Sequence, residues 1–445
     1  MAKNYWIKQG SFSFLANIAA MGFAFITFLF LVRVLSKDDF GVWVLYLTVT
    51  SFAEMARQGF VQNGLISFCT QNKDDYDEII TAGLVLNVVA GLLGALVIAI
   101  IANWLGSIWG VEKLPNLLWL YPLYVITYGT QMVLTFIQNA NQQFKVILIA
   151  NIIYGVSNFS MVIAYWFYFE SIVLSHLIFI QCISALLAMV YSLIKARSMF
   201  TFGKVTKKWV GKLFHYGKYV FGTNFSSMLL NKMDIIMIGF FITPIAVATY
   251  NVASRMNNYI EVPMNSIASI VFPKISERYK KEGVDAVRYL YERSTGLMLA
   301  IIIPAVLGVV VLAKPIILLL AGKEYLEAVP VLMILTCMAI VKPWGRLFGI
   351  TLDATGNPKI NFRMLLLSLA INVITNLILI PTFGMIGAAW ATFVSVVVTI
   401  GIGQVVVYRM FQVKFYHAFI YMFRFYKEWF HKALVILKLK EVELN

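Results

Sequence analysis

The stretch NLILIPTFGMIGAAWAT, residues 376–392, decides how this chain is to be read. A hydrophobic helix is expected to end at Pro381. A tight turn at Phe383-Gly384 follows, and a second apolar helix opens on Gly387, Ala388 and Ala389. Small residues let helix backbones approach closely in lipid, where packing and not hydrophobicity drives association. The phrase therefore predicts a helical hairpin inside a membrane.

Composition supports that reading. Of the 445 residues 60% are hydrophobic, and the mean hydropathy is +0.81. A soluble domain is about 45–50% apolar. The net charge of +15 arises although only 13% of residues are charged. In a membrane protein such a surplus sets topology and meets anionic headgroups. The basic residues sit between apolar runs and form no single soluble face, which argues against nucleic acid as a partner. Cys69, Cys182 and Cys337 lie far apart and suggest no disulfide framework. The four histidines show no metal-ligand spacing. The run from Ser11 to Val32 is too long for a signal-peptide core and reads as an uncleaved first span.

Twelve spans are expected, near 11–32, 41–66, 79–102, 116–137, 147–168, 171–194, 214–241, 245–272, 295–320, 328–350, 362–380 and 384–407. Uniformly apolar runs of this length are helices and not barrel strands. With the N-terminus in the cytoplasm, 28 of the 36 Lys and Arg fall on the cytoplasmic side and five on the other. The expected organisation is a six-helix lobe over 1–194, a basic cytoplasmic linker over 195–213, a second six-helix lobe over 214–407, and a basic, aromatic cytoplasmic tail over 408–445. The tail reads as an interfacial helix, because Arg424, Lys427 and Glu428 interrupt a thirteenth span.

The halves share a pattern. A shift of 207 positions pairs Gly10 with Gly217, Asn17 with Asn224 and Glu54 with Glu261. Parallel six-helix repeats with a site at their interface are a transporter architecture. Polar residues inside the spans mark that site. Asn251, Ser254, Arg255, Asn258, Glu261 and Asn265 are spaced by three and four, on one helical face. Asn224, Ser227, Asn231 and Asp234 make a second stripe, with Lys232 beside it. Glu54 and Arg57 form an i, i+3 pair. Buried charges are costly and normally face a bundle interior or wet cavity, so a central cavity lined by spans 1, 2, 7 and 8 is expected. The plainer alternatives are a self-neutralising Glu54–Arg57 pair, asparagines as interhelical glue, and Lys342 and Arg346 snorkelling from a span end. No phosphate-binding loop, no nucleophile elbow and no sizeable external domain is present, so no enzyme activity is expected.

Four segments carry a family resemblance: RVLSKDDFGVWVLY at 33–46, DIIMIGFFITPIAVATYNVASRM at 234–256, LDATGNPK at 352–359, and the opening hairpin. In this order and spacing the chain resembles Wzx-type polysaccharide flippases of the multidrug/oligosaccharidyl-lipid/polysaccharide exporter superfamily, over about residues 8 to 410. The resemblance implies an all-α membrane protein with two six-helix lobes in a V around a central cavity. It implies flipping of undecaprenyl-diphosphate-linked oligosaccharide from the inner to the outer leaflet, in the cytoplasmic membrane, for surface polysaccharide synthesis. Arg57 and Arg255 would then hold the diphosphate, Lys232 would assist, and Asn224, Asn231 and Asn258 would meet the sugars. Glu261, Glu54 and Asp234 would couple a proton or Na⁺, with no other cofactor. A polysaccharide polymerase and glycosyltransferases are the further partners such a role allows. The competing readings are a cation-coupled multidrug exporter of the same superfamily and, from another class, a membrane glycosyltransferase or polymerase.

Overall fold

The computed structural model describes residues 2–199 and 203–443. Every regular element among them is helical. In chain order these are α1 (Ala2–Val34), α2 (Lys37–Gln71), α3 (Tyr76–Trp109), α4 (Leu114–Leu118), α5 (Tyr121–Tyr124), α6 (Thr130–Ala140), α7 (Phe144–Phe169), α8 (Leu174–Lys195) and α9 (Lys207–Phe241). There follow α10 (Pro244–Ile260), α11 (Val262–Glu282), α12 (Val284–Val311), α13 (Ala313–Leu320), α14 (Ala328–Met338), α15 (Lys342–Ala354), α16 (Pro358–Phe411) and α17 (His417–Glu443). Among the described residues seven helical stretches are long and apolar enough to cross a membrane, or eight if α14 and α15 count as one span bent by 48°. α16, 54 residues long, holds two of the expected spans.

The opening phrase folds into the expected hairpin, although its first helix runs on through Pro381 and breaks at Gly384. Gly384 breaks α16 at φ 60°, ψ −141°, a conformation closed to side chains with a Cβ. The two halves then close on each other. A Cβ on Gly387 would lie 2.0 Å from the carbonyl oxygen of Leu379, and Ala388 and Ala389 are buried. Asn372 donates to the Thr392 hydroxyl at 3.2 Å, and the Thr375 hydroxyl donates to the Ala391 carbonyl at 3.3 Å. The apolar faces of both arms supply the burial, and these polar links fix the register.

Contacts group the chain into two compact units, Met1–Ala248 and Thr249–Asn445. In the first, α9 packs along α2 and also meets α3. The approach is close because each helix presents a glycine. A Cβ on Gly59 would meet the Phe221 Cα at 3.2 Å, and one on Gly217 would meet the Phe60 Cα at 2.5 Å. Phe60 stacks on both Phe214 and Phe221, with ring centroids 5.3 Å away in each case. The basic segment before α9 is pinned to the start of α3. Gly203 N–H donates to the Thr81 hydroxyl at 3.0 Å, and the Thr206 hydroxyl donates to Glu78 at 3.1 Å.

In the second unit, α17 runs beside α12 in the same direction. Glu292 accepts from the Lys414 N–H at 2.9 Å and faces His417 Nδ1 at 2.8 Å. One turn on, a Cβ at Gly296 would fall 2.6 Å from that of Tyr421. Further on, the Tyr426 hydroxyl donates to the Ala300 carbonyl at 3.0 Å. The sequence suggested a helix lying on the leaflet surface. The structure packs this part of the tail along α12, where Glu292 offers it a polar anchor and Gly296 a close approach.

Candidate functional site

Two carboxylate–cation pairs, one in each unit, are shielded among the apolar helices, and they are built differently. In the first unit α2 carries Glu54 and Arg57 one turn apart. Arg57 is 0% exposed. Its guanidinium donates to Glu54 Oε2 at 2.5 Å, to Asn87 Oδ1 of α3 at 2.5 Å and to the Gly129 carbonyl at 3.1 Å. The Gly129 carbonyl belongs to a π-helical turn, Val125–Gly129, which joins α5 to α6 and loosens the normal helix ladder. Glu54 also accepts from the Tyr121 hydroxyl of α5 at 2.9 Å. Gly91 and Gly129 pack beside the arginine: a Cβ on either would be in ordinary contact with its side chain, at 3.5–3.6 Å. The charges are thus neutralised and hydrogen-bonded inside the unit, the arrangement that a buried pair requires.

In the second unit the pair is assembled from two helix breaks. α10 ends at Ile260 and α11 opens at Val262, with Pro263 in its first turn. Glu261 stands between them, and its carboxylate caps no helical N–H. α14 ends at Met338 and α15 begins at Lys342-Pro343. Proline is tolerated in a first helical turn and removes a backbone hydrogen bond from a preceding helix, and both of these prolines lie in the turn that follows a break. Lys342 reaches across and donates to Glu261. Both are half-buried, with side chains 22% and 29% exposed. They line a cavity of about 290 Å³ together with Asn265, Arg346, Asn361 and Ser368. Arg346 lies one turn after Lys342 and makes no hydrogen bond or ion pair among the described residues. Asn361 is oriented by Asp353, to which its amide donates at 3.1 Å. Met264, Phe348, Met364 and Ile400 give the cavity apolar walls.

The α15 end of this cavity is held rigidly. Trp344, between Lys342 and Arg346, is buried and stacks on Phe415 at 4.4 Å. Its carbonyl accepts from the Tyr291 hydroxyl at 2.9 Å, and Tyr291 in turn accepts from Gln404 at 2.8 Å. Two cations therefore project from an anchored helical turn beside one carboxylate, in a site open to a polar ligand. Such a site can bind an anion, or exchange one partner of its ion pair for another.

The other residues singled out from the sequence differ in exposure. Asp234 is buried, Lys232 and Arg255 are half-buried, and Asn224, Asn231 and Asn258 are exposed. Glu261 was expected to share its stripe with Arg255, but its ion-pair partner is Lys342, 81 positions away. Lys342 and Arg346 were read as snorkelling residues. The readable signal was proline beside charge within an apolar run, at Glu261-Val262-Pro263 and at Lys342-Pro343.

A polytopic helical bundle with charges at its helix breaks is a membrane-transporter architecture. The polysaccharide biosynthesis protein family matches residues 30–330, more than half of the chain, and the chain belongs to that family. It is 31% identical over 183 residues to a protein of Haloferax volcanii named as a probable low-salt glycan biosynthesis flippase, Agl15. That alignment takes in 41% of this chain and 39% of the relative, so the chain matches about two fifths of the relative's length. Among solved structures it superposes on the lipid II flippase MurJ in an inward closed conformation with a TM-score of 0.67. That match has 17% identity and covers 95% of this chain and 92% of MurJ. It superposes on an inward-facing multidrug resistance MATE transporter of the MOP superfamily with a TM-score of 0.71. Here the identity is 13% and the coverage is 89% of this chain and 95% of the transporter. At these identities the two structures establish the fold, and the all-α membrane architecture expected from the sequence is the one observed.

Proposed function

We propose that this protein is a flippase that turns undecaprenyl-diphosphate-linked oligosaccharide units from the inner to the outer leaflet of the cytoplasmic membrane. Membership of a polysaccharide biosynthesis family supports the glycan, and the name of the archaeal relative supports flipping. The observation that carries the reading is the polar cavity of the second unit, where Lys342 and Arg346 stand beside Glu261 among apolar walls. A charged headgroup needs such a place, and hydrocarbon does not supply one. A drug exporter of the same fold is the alternative, and the excess of cation over carboxylate in this cavity favours an anionic cargo.

Alternating access needs a second ligand that binds its two states unequally. A proton or Na⁺ fills that role in this proposal. Glu261 is its better carrier: Glu54 is closed in by Arg57 and Tyr121, whereas Glu261 faces the cavity. Both termini and the 195–213 segment lie in the cytoplasm, consistent with the charge bias. Glycosyltransferases and a polymerase would act before and after it.

The test is reconstitution in liposomes with a fluorescent polyprenyl-diphosphate glycan, whose arrival in the outer leaflet is read by an impermeant quencher. Flipping that depends on the protein, and responds to a proton or Na⁺ gradient, is the expected result. Extrusion of cationic dyes without glycan flipping would overturn the proposal in favour of the exporter. Impermeant thiol labelling of intact cells checks the orientation: a cysteine replacing Lys113 should label and one replacing Lys204 should not.

A further inference from the structure

We propose that the cavity between the broken helices of the second unit is an oxyanion site, in which an incoming phosphate displaces Glu261 from Lys342 and takes Arg346 as its second donor. The proposal deepens the flippase reading and rests on it only for the choice of a prenyl diphosphate over other phosphates.

The argument begins with Arg346. A guanidinium cannot shed its charge, and it forms two parallel hydrogen bonds with phosphate or carboxylate oxygens. Here it lines a cavity and has no ion-pair partner among the described residues. Lys342 is its neighbour one turn away, and Trp344 between them is locked by Tyr291 and Phe415. The backbone turn that carries both cations is therefore held before a ligand arrives, which lowers the ordering cost of binding.

Glu261 completes the arrangement. The cavity's ionisable side chains are one carboxylate and two cations, so its formal charge is one positive unit. Its carboxylate occupies the place beside Lys342 that an anion would take, and it makes no other hydrogen bond or ion pair among the described residues. Both partners keep partial access to solvent. Such a pair exchanges far more readily than a fully buried one, because neither charge is stranded while the other finds a new partner. Asn265, Asn361 and Ser368 add neutral hydrogen-bonding groups around the anion. Because Glu261 lies at the α10–α11 break and Lys342 at the α14–α15 break, ligand binding would release one helix junction from the other. The anion is thereby linked to two of this unit's helix breaks.

The test uses the purified full-length protein in an uncharged detergent. Isothermal titration with geranyl diphosphate measures the site directly, and the same titration with phosphatidylglycerol in mixed micelles tests the lipid-headgroup source. Arg346→Gln should weaken geranyl diphosphate binding about tenfold or more, the scale of a charge-assisted hydrogen bond. Glu261→Gln should strengthen it by a similar factor, because the internal competitor is gone. A gain in affinity cannot come from a misfolded protein. Unchanged or weaker binding by Glu261→Gln, or unchanged binding by Arg346→Gln, would overturn the site. Equal competition by phosphatidylglycerol would keep the oxyanion site but assign it to phospholipid. Failure to bind either probe would remove the site altogether. Flipping is not measured in these titrations, so a failure of the flippase reading shows separately in the liposome assay.

Discussion

Glu54 and Glu261 stand 207 positions apart in a shared pattern, yet the two units use them in opposite ways. Glu54 is paired within its own helix, and its partner Arg57 is completely buried and bonded to three groups. Glu261 is paired across two helix breaks, with a lysine that keeps some exposure, beside a second cation without a partner among the described residues. Burial makes the first pair part of the unit's framework. Partial exposure makes the second one available for exchange. The comparison shows that the surroundings of a membrane carboxylate, and not its register in a repeat, decide how it is paired.

The largest expected effect tests the closed side. Arg57→Ala would leave Glu54 as an uncompensated buried charge and would orphan Asn87 and the Gly129 carbonyl. Breaking a buried pair in this way costs about 3–5 kcal/mol. Thermal unfolding in detergent should show a large fall in midpoint, and a midpoint close to wild type would show that the pair is not structural. Arg57→Ala combined with Glu54→Gln should recover part of the loss.

Next in size is the hairpin behind the open site. Gly387→Ala places a methyl against the Leu379 carbonyl oxygen, where only 2.0 Å is available. Overpacking of this kind costs about 1–3 kcal/mol. The same thermal measurement should register it, and Gly401→Ala, where nothing lies within 4 Å, serves as the matched control. If both variants unfold together, the close approach in α16 is not what stabilises that arm.

The open pair should behave in the reverse sense to Arg57. Lys342→Gln should change stability by no more than about 1 kcal/mol, since the pair is half-exposed. Flipping in liposomes should nevertheless fall at least about tenfold, because a cation that meets the cargo has gone. A large drop in thermal midpoint with proportionate loss of flipping would mean that both pairs are structural, and the contrast between the units would disappear.

How much of this could be read beforehand follows from the range of each interaction. The α16 hairpin was legible because its causes are local: Gly384 permits the turn, and Gly387, Ala388 and Ala389 permit the approach. The all-helical membrane fold was legible from uniformly apolar runs. Glu54–Arg57 was legible as a pair because it lies within one turn, but Asn87, Tyr121 and Gly129 come from other helices. Lys342 was misjudged for the same reason. A snorkelling lysine and one paired with Glu261 look alike in sequence when the partner is 81 residues away. The helix breaks were readable from Pro263 and Pro343, which lie inside runs otherwise taken as continuous spans. The packing of α17 on α12 depends on Glu292 and Gly296, and no local pattern in the tail announces them.

The smallest effect concerns a third ion pair, at the surface, which completes the series from closed to open. Asp75 precedes α3, and Lys208 in the first turn of α9 donates to it at 2.9 Å. That hydrogen bond and the lysine's charge hold the Asp75 carboxyl below its ordinary value of 3.8. A carboxyl held lower in the folded state contributes stability above its unfolded value, and this is lost as pH falls through the folded one. The contribution should therefore be complete at neutral pH and disappear only below about pH 4, in the range of the unfolded carboxylate. Asp75→Asn should lower the thermal midpoint slightly at pH 7 and leave it unchanged at the acid end. Salt screens an exposed pair, so the difference at pH 7 should shrink when the ionic strength is raised, whereas the Arg57→Ala effect should not. A salt-independent Asp75→Asn effect would mean that the carboxylate acts by shaping the turn before α3 and not through Lys208.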